Sequence, residues 1–225
     1  MRIKCIWTLG VVAALMALAP RPSVASILIY SDMGSPGNYS YQSSDGYLVS
    51  GPTASVPPSP IAVSDASPFT ASGNFSVGEI DVGLSNVAGT ETADLSVWTD
   101  AGGTPGTQIG STYQLTGLPV NGSCCAVASV TGITGINLIS GDTYFVVITA
   151  GASDTYDAWN FANTAMGSFD QQTDNGPWYE DVGDPENSLG AFAVLSAPEP
   201  GTLILLLMGL VGLACLTRRR LPLGT

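Results

Sequence analysis

The chain has 225 residues, with six Lys or Arg, 18 Asp or Glu and no His, giving a formal charge of −12 and a sequence pI near 4.1. Every basic residue lies outside Ser26 to Ala197, whereas seventeen of the eighteen acids lie inside it, so that segment carries a side-chain charge of −17. With no cation or imidazole there, phosphate-based nucleic-acid binding, Ser-His-Asp and Cys-His catalysis and Schiff-base chemistry are excluded, and zinc sites lose their usual ligands.

At the start of the chain, Arg2 and Lys4 precede an apolar run from Cys5 to Ala19, and Ser23-Val24-Ala25 is a small-x-small site. This is the pattern of a secretory signal peptide over residues 1–25, cut between Ala25 and Ser26, which calls for the Sec translocon and signal peptidase. Residues 26–68 read as a leading segment. Ser26 to Tyr30 is a short strand, Asp32 to Gly46 a Gly, Ser and Asn-rich loop, and the prolines at 52, 57, 58, 60 and 68 exclude a central strand from most of Leu48 to Phe69. Ile61 to Ser64 is left as an edge.

The domain proper is expected over 69–196. Ile80, Val82 and Leu84 alternate with Asp81, Gly83 and Ser85 in a run beginning at Phe75, and Ala93, Leu95 and Val97 alternate with Asp94, Ser96 and Trp98. Gly102-Gly103-Thr104-Pro105-Gly106 turns the chain into a strand from Gln108 to Leu115. Further strands are expected at Cys125 to Thr131, Thr143 to Thr149, Asp157 to Ala162, Met166 to Gln171, Trp178 to Asp181 and Leu189 to Leu195. Turn residues interrupt the pattern about every 8 to 12 residues and no helical period is sustained, which predicts an all-β fold, an antiparallel β-sandwich. The adjacent cysteines cannot form a distant inter-sheet bridge, which favours a jelly-roll-like arrangement over an immunoglobulin-type one.

Three local features bear on function. Cys124 and Cys125 are each other's only partners in the exported segment, as a vicinal disulfide or as two thiols, or else they bridge to another molecule. Trp159, Trp178 and Tyr179, with Trp98 in support, offer rings beside Asn and acidic side chains, the combination that binds sugars; tryptophans of small sandwiches also fill the core. The acidic stretch containing Asp181, Asp184 and Glu186 is a candidate calcium site, against a reading as a solvated acidic face, and no other cofactor is indicated. No catalytic residues are assigned. The series Leu95 to Gly106, Gly122-Ser123-Cys124-Cys125, Gly141-Asp142-Thr143-Tyr144 and Ala158-Trp159-Asn160 resembles the choice-of-anchor R domain, a family of exported bacterial β-domains, and the resemblance implies surface display.

Residues 197–220 close the chain with Pro198-Glu199-Pro200, an uncharged apolar run from Leu203 to Leu216 and Arg218-Arg219-Arg220. Prolines break the hinge, the apolar residues favour a helix over 203–217, and the arginines hold residues 221–225 in the cytoplasm. This order resembles the PEP-CTERM sorting signal. The resemblance implies cleavage near the hinge by an exosortase and passage through the inner membrane to the outer envelope or extracellular polymer of a Gram-negative bacterium. A permanent anchor is the alternative, although about 20 apolar residues normally span a bilayer and this run is shorter. The expectation is a non-enzymatic exported protein with a structural or adhesive role, or a carbohydrate-binding module with extracellular polysaccharide as its partner.

Overall fold

The computed structural model describes residues 26–57, 60–181 and 188–198. The signal peptide, the apolar tail with its arginines, Ala25, Glu199, Pro200, Asp184 and Glu186 lie outside them. Among the described residues no helix is long and apolar enough to cross a membrane.

In chain order the strands are β1 (Leu28–Ser31), β2 (Gly34–Ser35), β3 (Asn38–Tyr39), β4 (Tyr41–Ser50), β5 (Val63–Thr70), β6 (Phe75–Val82), β7 (Leu84–Ala88), β8 (Thr92–Asp100), β9 (Pro105–Thr116), β10 (Ala128–Thr131), β11 (Asn137–Leu138), β12 (Thr143–Ala150), β13 (Tyr156–Met166), β14 (Phe169–Thr173), β15 (Tyr179–Asp181), β16 (Ser188–Gly190) and β17 (Phe192–Ser196). The smaller sheet runs β1-β17-β6-β10 with β11 also on β6, and the larger runs β16-β13-β4-β5-β12-β8-β9, with β14 and β15 joined through β5 and β7 through β13. The strand pairings are antiparallel, as the alternating pattern predicts. The sheets face one another across one core: Val77, Ile80, Val82, Phe192 and Val194 from the smaller meet Val49, Phe69, Val97, Val146, Trp159 and Phe169 from the larger. The chain is thus an antiparallel β-sandwich.

The leading segment belongs to the sandwich. The compact unit spans Ser26–Ala197, so the expected boundary at residue 69 is corrected. The expected loop from Asp32 to Gly46 contains β2, β3 and the start of β4. β5 lies inside the larger sheet although it carries Pro68, because its pairing with β14 runs only from Val63 to Ala66. One flank of the proline therefore has no ladder to interrupt, while Pro68 sits opposite Phe145 on β12.

The alternation from Phe75 to Ser85 also divides. β6 pairs in the smaller sheet and β7 in the larger, with Gly83 at the crossing, where its amide donates to Ala191 O at 2.9 Å. A Cβ at Gly83 would stand 3.1 Å from that of Ala191 and 3.2 Å from the Tyr41 ring, so the crossing needs the smallest residue. The strand expected from Cys125 begins at Ala128.

Candidate functional site

Alternation sorts the larger sheet's residues between two faces. On the face turned away from the core, Ala66, Phe145 and Val147 form an apolar floor on which Trp98 and Trp178 pack. The two indoles meet edge to face at 6.3 Å and 73°. Trp98 Nε1 donates to Ser96 Oγ at 2.8 Å, which ties down the polar end of its ring. Both rings are half-buried.

Beside Trp98 the sheet carries a groove of about 770 Å³. Ser64, Thr149 and Gln172 from β5, β12 and β14 line it, with the turn at Gly151 to Ser153 on one side and Asp174 and Asn175 on another. Asp174 and Asn175 hold φ of 50° and 56°, a region that Asp and Asn tolerate best among residues with side chains. The turn is fixed from both ends. Asp174 N donates to Ala62 O at 2.9 Å, Ala62 N donates to Asp174 Oδ1 at 3.2 Å, and Gln172 Nε2 donates to Gly176 O at 2.6 Å. A flat ring beside hydroxyls, amides and one carboxylate, on a well-tied scaffold, can stack on a sugar and take its hydroxyls.

The expected glycan residues separate. Trp159 is fully buried, donates from Nε1 to Ala191 O at 3.0 Å and packs edge to face on Phe169 and Phe192. Its indole is so close to Gly190 that a Cβ there would stand 2.5 Å from the ring. The reading of Trp159 as a sugar platform is therefore corrected: its position on β13 points it into the core. Trp178 reaches the outer face, while the adjacent Tyr179 is 41% exposed and donates its hydroxyl to Gln171 Oε1 at 2.8 Å. Trp98 is the ring that lines the groove. The polar lining escaped sequence reading, although the Asp174-Asn175-Gly176-Pro177 turn just before Trp178 was a local signal.

Asp181 lies on β15 opposite Phe169. Among the described residues no three metal-ligating side chains gather. Cys124 and Cys125 are joined by a disulfide on the far side of the sandwich, near Tyr41 O and beside the cluster of Met33, Tyr41, Ala193 and Leu195. Pro198 is exposed.

Several aspartates are buried in a domain that has no basic side chain. Burial raises Asp157 to about 7 and Asp170 to about 6, and it holds Asp65 well above the usual carboxylate range. Asp157 Oδ1 accepts from Asn86 Nδ2 at 3.0 Å, which opposes the shift without reversing it, and Glu91 adds to it. Asp170 pairs directly with Glu180 on the neighbouring β15, and among the described residues neither of its oxygens has a hydrogen-bond partner. Asp32 is raised to about 7, with burial outweighing the amide of Phe192 that donates to it at 2.7 Å. A proton is the natural neutraliser for such groups where no cation exists.

The fold defines an all-β domain with an open groove on one sheet face. The tail supplies a narrower identification: residues 196–220 match the family model described as the PEP-CTERM protein-sorting motif. No curated protein matches the chain. The motif implies an exported protein of a Gram-negative bacterium, held transiently in the membrane and sorted by an exosortase.

Proposed function

We propose that the mature domain is a non-enzymatic, adhesive component of the cell surface or extracellular matrix, and that it adheres to polysaccharide through the groove beside Trp98. The observation that carries this reading is the groove, where a tethered half-buried indole stands next to Ser64, Thr149, Gln172 and Asn175. Delivery by an exosortase would place it among extracellular polymers, and the resemblance to choice-of-anchor R domains fits surface display. Among the described lining residues Asp174 is the sole carboxylate, whereas glycoside hydrolysis uses two across a cleft, so the groove suits holding better than cutting.

Glycan arrays probed with the protein, with and without calcium, for which Asp181, Asp184 and Glu186 are the candidate ligands, test the reading. Trp98→Ala should abolish the signal while leaving the melting temperature within a few degrees, because the ring is only half-buried. Absence of binding to any polysaccharide under either condition would refute it.

A further inference from the structure

The groove's electrostatics narrow its ligand, on the reading that it holds polysaccharide. Asp174 stands at its rim, and Asp94 is the cross-strand neighbour of the lining Thr149. Ser26 to Ala197 contains no Lys, Arg or His to offset them. The field over this face is therefore negative, and no side chain of the domain can pair with a uronate, sulfate or phosphate on a sugar. A sugar ammonium, in contrast, finds an exposed carboxylate held in position by the amide of Ala62, at the edge of a groove whose Trp98 accepts the apolar face of the ring.

We propose that the groove takes a polysaccharide whose sugars carry free amines, a glucosamine-type polymer, in preference to neutral or uronic acid chains. The comparison that isolates the charge uses β-linked glucosamine oligosaccharides against their N-acetylated counterparts. Both offer the same ring to Trp98, and only the former is cationic. The pair separates stacking from charge.

Titrations of the full chain in detergent at pH 6 should show tighter binding of the deacetylated oligosaccharide, with the preference shrinking as salt rises from 20 to 500 mM. Asp174→Asn should weaken the deacetylated ligand about two- to fivefold, the scale of one exposed ion pair, and leave the acetylated one unchanged. Asparagine keeps the acceptor for Ala62 N and tolerates the positive φ, so the turn is expected to survive. Asp142→Asn, in the turn before the opposite end of β12, should change neither. Equal or tighter binding of the acetylated chain would overturn the amine preference while leaving the polysaccharide groove standing. Failure of both chains would overturn the amine preference, and failure of every polysaccharide on the glycan array as well would overturn the groove reading.

Discussion

Replacing Asp157 with asparagine should flatten the pH dependence of this domain's stability. Asp157 is fully buried on β13, and burial lifts its carboxyl from an ordinary 3.8 to about 7. A group raised in the folded state stabilises fully below its unfolded value and loses that contribution as pH rises through the folded one. The window is thus about 4 to 7, and the domain should weaken toward neutrality. Within the window one proton leaves on unfolding, which corresponds to about 1.4 kcal/mol per pH unit. Between pH 5 and pH 7 Asp157 should therefore account for about 2 kcal/mol. Asparagine is neutral throughout and keeps an oxygen for Asn86 Nδ2. Whatever it costs in unpaired donors is the same at both pH values and drops out of the difference. Urea denaturation of both proteins at pH 5, 6 and 7 in 0.5 M salt gives the two slopes, the salt suppressing the general self-repulsion of the −17 domain. Parallel curves, or a wild-type domain that gains stability from pH 5 to 7, would refute the assignment of a protonated core carboxyl.

Trp159→Ala should cost about 3–5 kcal/mol, because it empties a site packed on Phe169, Phe192 and Gly190, and chemical denaturation should show the loss. Any fall in glycan binding should then follow the unfolded fraction, in contrast to Trp98→Ala. Intact mass of the protein from its native envelope should correspond to a chain starting at Ser26 and ending near Glu199, with any extra mass reporting an attached group. A mass that retains Leu203 to Arg220 would make the tail a lasting anchor.

The parts of the fold that were legible in the sequence are those whose burial is one-sided. Ile80 and Val82 alternate with Glu79 and Asp81 because one face meets the core and the other meets polar partners, as where Asp81 accepts from Ser129 and Tyr39. β4 and β5 defeated the same logic. Asp65 and Ser67 share the inward-facing register of β5 with Val63 and Phe69, so polar residues occupy core positions and the period blurs. Pro68 then argued against a strand that tolerates it only because the β14 ladder stops short.

The groove was hidden for a different reason. Ser64, Trp98, Thr149 and Gln172 come from four strands spread along more than a hundred residues, and register alone makes them neighbours. No local spacing encodes that assembly, whereas a sorting tail is read linearly and so must be contiguous. Trp159 shows the converse. Its neighbours in sequence, Asp157 and Asn160, resemble a sugar site, yet Asp157 and Asn160 are themselves buried. In a domain without basic residues acidity does not guarantee exposure, because an aspartate that takes a proton can enter the core at the cost of a neutral polar group. Local polarity around a ring is consequently a poor guide here to which face of the sheet the ring occupies. Strand register decides it, and register placed Trp98 outside and Trp159 inside.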